Sequence, residues 1–226
     1  MAQVAGLSAY FHNMLLIEQL ECIRGDKRLF TGLDFGVSAG EVLRITGSNG
    51  AGKTSLLRLL AALSSPHHGK IYWHGQPVQR LGGAFRAQLR FLGHQNAIKE
   101  ELTPLENLLA TAQLAGNPVN EAAAELALAH AGVSVCADLA CKYLSQGQKR
   151  RTALASLCHD QRPLWILDEP FVALDTTAIA WLSGLIGDHA RDGGLAVLTS
   201  HQPVELDGVP IKDLHLDELG KRGGAC

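Results

Sequence analysis

The run Gly47-Ser48-Asn49-Gly50-Ala51-Gly52-Lys53-Thr54 has the spacing of a phosphate-binding loop, G-x-x-x-x-G-K-[ST]. Its glycines let the backbone turn so that successive N–H groups converge on phosphate oxygens, and the helix behind them adds its positive end. Lys53 then reaches the β- and γ-phosphates of a nucleotide, and the Thr54 hydroxyl is a ligand for Mg²⁺. An ordinary glycine turn capping a helix is the alternative. The context argues for the loop. A strand-like run, Val42-Leu-Arg-Ile-Thr46, precedes it, and Leu56, Leu57, Leu60 and Leu63 follow at helical spacing.

A second group ends another apolar run. Leu164-Trp-Ile-Leu167 reads as a buried strand of a parallel sheet and delivers Asp168 and Glu169 at its carboxyl end, where open α/β sheets collect their ligands. Two carboxylates there suit metal-assisted hydrolysis of a phosphoanhydride. Asp168 would hold Mg²⁺ at one remove, and Glu169 would polarise the attacking water, a base role worth about 10²- to 10⁴-fold in rate. A solvated Asp-Glu-Pro turn is the alternative. Ser145-x-x-Gln148 is a capping box and, read alone, no more than a good helix start. Read alone, Gln95 and Asp175 are plain loop or cap residues, and His201 is a strand-end surface histidine.

The elements that have to position these groups are legible in outline. Between Leu15 and Ile45 short apolar runs alternate with turns, which predicts successive strands; residues 71–78 and 89–92 predict further strands. Thr103-Pro104-x-Glu106 opens a helix with an N-cap, a proline at the first helical position and a glutamate at N3, and residues 103–131 are expected to be mainly helical. A strand and helix alternation then covers 164–201.

At 226 residues the chain is long enough for one core, with 46% hydrophobic and 19% charged residues, an ordinary globular composition. The formal net charge of −2 argues against strong attraction to nucleic acid or an anionic membrane surface, although Lys149-Arg150-Arg151 reads as a local basic patch. Five cysteines without a C-x-x-C pair suggest neither a disulfide framework nor a zinc site, and fit a reducing compartment. No run reaches the length of a membrane span. Residues 1–13 lack the features of a signal peptide, and Met14 is as acceptable a start as Met1. His67, His68 and His74 read as surface histidines rather than a metal site.

Leu144-Ser145-Gln146-Gly147-Gln148, followed by Lys149-Arg150-Arg151, resembles the LSGGQ signature of ABC ATPases, with Gln146 where the family has glycine. Other family elements fall in order: Gln95 in Leu92-Gly-His-Gln95 resembles the Q-loop glutamine that touches Mg²⁺ and the attacking water. Ala173-Leu174-Asp175 resembles the D-loop, and His201 the switch histidine that contacts the γ-phosphate. The resemblance covers about residues 15–205. It implies an α/β P-loop NTPase fold with a RecA-like core, an antiparallel β subdomain and a helical subdomain at about 96–160. Residues 1–14 would be a disordered extension and 206–226 a polar C-terminal tail. It also implies ATP and Mg²⁺ as cofactors, and an ATP-sandwich homodimer in which Ser145, Gly147, Gln148 and Asp175 of one copy face the nucleotide bound by the other. One departure concerns the base. Many members of the family stack adenine on an aromatic side chain in the first hairpin, whereas Glu21-Cys-Ile-Arg24-Gly25 has none, leaving Arg24 to stack by its guanidinium plane.

Within the family, Ile45–Thr54, Gly93–Lys99, Leu164–Phe171 and Ser200–Pro203 are most similar to ATP-binding subunits of cytochrome c biogenesis exporters. That similarity implies a homodimer beneath integral membrane haem-exporter subunits, peripheral to the cytoplasmic face of a bacterial inner membrane. ATP would power haem export or release of a haem-loaded chaperone. The alternatives are an ABC exporter of another small molecule, a soluble ABC ATPase acting on nucleic acid, which usually carries two cassettes or a coiled-coil insertion absent here, and a P-loop kinase, which needs neither the signature nor His201.

Overall fold

The computed structural model describes residues 14–219. Residues 1–13 of the expected 1–14 extension and residues 220–226 of the expected 206–226 tail, Cys226 among them, lie outside the described residues. The chain divides into two compact units, one of residues up to Phe91, Arg162–Asp168 and from Asp188 on, the other of Leu92–Gln161 and Glu169–Gly187.

The first unit contains two sheets. In the antiparallel one, β1 (Leu15–Arg24), β2 (Lys27–Val37), β4 (His68–Trp73) and β5 (Gln76–Pro77) lie in the order β2-β1-β4-β5. Leu15 and Ile17 face inward; a bulge at Gln19, whose φ is 47°, then resets the period so that Leu20 and Cys22 are buried as well. Residues 71–78, expected as one strand, form a hairpin instead. His74 and Gly75 both take positive φ between Trp73 and Gln76, and Val78 begins a short helical turn.

The second sheet has the order β6-β7-β8-β3-β9, with β3 (Val42–Thr46), β6 (Leu89–Leu92), β7 (Leu164–Leu167), β8 (Leu195–Thr199) and β9 (Ile211–His215). β7, β8, β3 and β9 are parallel, and β7 and β8 are buried throughout, as their unbroken apolar runs require. Helix α1 (Lys53–Leu60) buries Leu56, Leu57, Leu59 and Leu60 in a core shared with Ile45, Ile166 and Val197 of this sheet and Ile17 and Leu33 of the other. Each such side chain contributes about 1.5–3 kcal/mol. Leu63, expected on the same helical face, is 47% exposed. The helix stops short of it in a Schellman motif: Leu63 N donates to Arg58 O at 2.9 Å, Ala62 N to Leu59 O at 3.0 Å, and Ala62 takes a φ of 51°.

Residues 206–219, expected as a polar tail, supply β9 and a final helical turn, Leu216–Leu219. β9 pairs with β3 from Ile211 opposite Val42 to His215 opposite Thr46. A bidentate ion pair reinforces this pairing, with Arg44 Nε and Nη2 donating to Asp213 Oδ1 and Oδ2 at 2.5 and 2.8 Å.

The second unit is helical. Helices α2 (Pro104–Leu114) and α3 (Glu121–His130), with α4 (Gln146–Ala155), bury Leu108, Ala124, Ala127, Leu128 and Ala155, and Trp181 of α5 (Thr176–Arg191) packs on this cluster. Residues 103–131 are broken by Gly116, whose φ of 74° ends α2. Thr103 caps α2 in a full capping box with Glu106, and Asn120 caps α3. Asn107 is the buried polar anchor: its Oδ1 accepts from Lys99 N at 2.8 Å and its Nδ2 donates to Lys99 O at 2.9 Å, tying the segment before α2 to the helix.

The Arg44 hydrogen bonds hold the Asp213 carboxyl below its usual range against a smaller opposing effect of burial. A carboxyl depressed in the folded state contributes stability above its unfolded pKa of about 3.9 and loses it as pH falls through the folded value. We therefore expect Asp213→Asn to lower the urea midpoint at pH 7, and the difference from wild type to vanish in acid below the folded pKa. A difference that persisted there would assign the effect to something other than the ion pair.

Candidate nucleotide site

In the first unit three neighbouring parallel strands end at the same edge. β3 runs into the loop 47–54, β7 into Asp168, and β8 into Ser200 and His201. Gly52 N-caps α1 with a φ of 104°, in a space where a Cβ would sit 3.2 Å from Leu29 Cβ. It brings no side chain to the first turn, unlike Thr103, Asn120 and Ser145 at the other helix starts. The first-turn N–H groups of α1 thus have no side-chain cap, which leaves them open to an anion at a positive helix end. Ser48, Asn49 and Gly50 are exposed, as is the Thr54 side chain, while Lys53 is buried. Lys53 Nζ donates to Gly47 O at 2.8 Å and lies 3.3 Å from His201 Nε2, so two residues far apart in sequence meet at the loop.

Asp168 is buried at the end of β7, where its Oδ1 accepts from Thr199 Oγ1 at 2.8 Å across the strand pair. The Thr54 hydroxyl and the Asp168 carboxylate are hard oxygen donors, of the kind that suits Mg²⁺.

Sequence reasoning missed one contributor. Asp217, in the final helical turn, accepts from Ser48 N and Ser48 Oγ, both at 2.7 Å, and so ties the first limb of the phosphate loop to the chain beyond β9. The only sequence signal was the sparse apolar spacing of Ile211, Leu214 and Leu216. Arg24, the expected stacking residue, is exposed beside the Gly25-Asp26 turn.

The remaining predicted residues lie in the second unit. Gln95 is exposed in a bend, and Glu169 is half-buried with a φ of 48°. Ser145 caps α4 in a complete capping box: Gln148 N donates to Ser145 Oγ at 3.2 Å, and Ser145 N to Gln148 Oε1 at 2.9 Å. Asp175 Oδ1 accepts from Ala178 N at 2.8 Å in the first turn of α5, and its other oxygen is 3.6 Å from Arg151 Nη1.

The expected basic patch is not one. Lys149 and Arg150 are buried, Lys149 Nζ paired with Glu100 at 2.5 Å and Arg150 donating to backbone carbonyls. A charge run at the start of α4 faces inward because α4 has partners on that side.

The sequence profile of the ABC transporter family matches residues 30–172. The chain belongs to the ABC transporter family, as an ATP-binding subunit. It is 56% identical over 203 residues to the cytochrome c biogenesis ATP-binding export protein of Dechloromonas aromatica, covering 90% of this chain and all of that protein. It is 42% identical over 207 residues to the protein of the same description from Escherichia coli, covering 92% and 98%. Among solved structures, a putative ABC transporter ATP-binding protein from Pyrococcus furiosus superposes with a TM-score of 0.78 at 26% identity, covering 91% and 98%. The fold is thus that of an ABC ATPase, and the chain an ATP-hydrolysing enzyme. Among the described residues no helix is long and apolar enough to cross a membrane.

A Cβ on Gly147 would lie 2.8 Å from Ala173 O, so α4 approaches the Ala173-Leu174-Asp175 segment as only glycine permits. Gly147→Ala should lower stability by about 1–3 kcal/mol in urea unfolding; a wild-type midpoint would show that this approach is not tight.

Proposed function

We propose that this chain is the ATP-hydrolysing subunit of a membrane complex for cytochrome c biogenesis, powering export of haem or release of a haem-loaded chaperone. The reading rests on its similarity, at 42–56% identity over 90–92% of its length, to export proteins of that description. That length of similarity favours it over an exporter of another small molecule. The burial of Lys149 and Arg150 removes the one feature that pointed toward nucleic acid.

The chemistry follows from the residues. The N–H groups of the 47–54 loop and the start of α1 bind the phosphates of ATP, with Lys53 neutralising charge on the β- and γ-phosphates. Thr54 directly, Asp168 at one remove and Gln95 would hold Mg²⁺, which would supply charge neutralisation at the phosphate oxygens when bound. Glu169 takes the proton of the attacking water, and His201, beside Lys53, contacts the γ-phosphate. Ser145, Gly147 and Gln148 lie at the positive end of α4. In an ATP-sandwich homodimer, with Asp175 at the interface, they would meet the nucleotide of the other copy. The integral membrane haem-exporter subunits would hold this dimer at the cytoplasmic face of the inner membrane.

A host lacking its own copy of this subunit provides the test. The wild-type chain should restore haem-stained c-type cytochromes. Glu169→Gln should bind ATP with wild-type affinity, hydrolyse it at least about 10²-fold more slowly, and restore none. Full cytochrome content without the chain would remove it from that pathway, and full activity of Glu169→Gln would displace Glu169 as the base.

A further inference from the structure

We infer that Arg150 is a positioning residue for hydrolysis, fixing the Gln95 segment and the backbone of Glu169 to the signature helix α4 through one buried guanidinium. The inference rests on the roles proposed above for Gln95 and Glu169. Arg150 is 5% exposed. A charge so deeply buried is costly unless hydrogen bonds compensate it, and a guanidinium can do so because its donors fan out in one rigid plane. Here the fan reaches two segments distant in sequence. Nη1 donates to Gly93 O at 3.1 Å and to Asn96 Oδ1 at 3.3 Å, on either side of Gln95; Nη2 donates to Glu169 O at 3.0 Å.

The held segments carry unusual backbone. Glu169 has a φ of 48° and Ala97, two residues after Gln95, a φ of 52°. Non-glycine residues keep such conformations only where their surroundings over-determine them, and conformations of this kind gather at functional sites. Arg150 supplies that constraint from the carbonyl side of Glu169, where it orients the residue's own peptide. The neighbouring cations act elsewhere: Lys149 pairs with Glu100, and Arg151 lies beside Asp175. A lysine at 150 would keep the charge but, as a single nitrogen on a flexible stem, could not serve both segments at once.

A positioning role separates turnover from binding, since the phosphate loop is built from other residues. The test compares purified Arg150→Lys and Arg150→Gln with wild type and Glu169→Gln. It measures phosphate release against ATP concentration, ATP affinity by titration, the urea midpoint, and hydrogen exchange of residues 92–97 and 169–172. We expect kcat of Arg150→Lys to fall roughly 10²-fold, the loss that follows a misplacement of about 1 Å. KM and ATP affinity should hold, while exchange quickens in those two segments and not in α2 or α3. Should Arg150→Lys fail to fold, Arg150→Gln, which keeps two N–H donors, carries the same readings. Failure of both to fold, or losses of affinity and kcat in step, would leave Arg150 a purely structural role and overturn the inference. Wild-type kcat in Arg150→Lys beside an inactive Glu169→Gln would overturn it alone, whereas an active Glu169→Gln would sink the assignment of the base itself.

Discussion

Parallel pairing of β7, β8 and β3 is the constraint on which the first unit depends. Because the three strands run the same way in adjacent positions, their carboxyl ends share one edge, and the residues that follow them are brought together without further design. The hydrogen bond of Thr199 with Asp168 and the approach of Lys53 to His201 are consequences of that register. So is the identity of the buried residues. A strand covered on both faces has to be apolar along its length, which is why Leu164–Leu167 and Leu195–Thr199 are almost unbroken hydrophobic runs that give way to Asp168 and Ser200.

The second unit solves a different problem. Its helices meet through alanines at Ala124, Ala127 and Ala155, and small side chains let backbones approach closely. The polar groups it buries are each fully engaged: Asn107 holds the segment before α2, and Arg150 holds the two segments that carry Gln95 and Glu169. Buried polar groups of this kind contribute little net stability but penalise any other arrangement, because an unsatisfied partner costs about 1–3 kcal/mol. Precision of the loops, rather than strength of the fold, is what they provide.

Local signals were the legible ones. The glycine turn into α1, the capping boxes at Thr103 and Ser145 and the apolar strand before Asp168 each depend on residues within a few positions of one another, and the structure has each of these local elements. What the sequence concealed were features set by distant partners. β9 is an edge strand with a polar outer face, so Ile211–His215 carries almost no strand signal, and Asp217 is brought to Ser48 only by that pairing. Arg150 sits in a basic run that looks solvated until the loops it binds are known. Leu63 keeps helical spacing, yet the helix ends before it at an alanine, Ala62, in a position that usually announces itself as glycine.

The central claim is that this ATPase serves membrane subunits of the cytochrome c pathway, and its most direct measurement is to see what holds the protein in its ATP-bound state. Tagged Glu169→Gln chain, purified from solubilised membranes with ATP and Mg²⁺, should bring down small integral membrane haem-exporter subunits, identified by mass spectrometry and absent when ATP is omitted. Recovery of a different permease, or of soluble or nucleic-acid-binding partners in place of membrane proteins, would contradict the account.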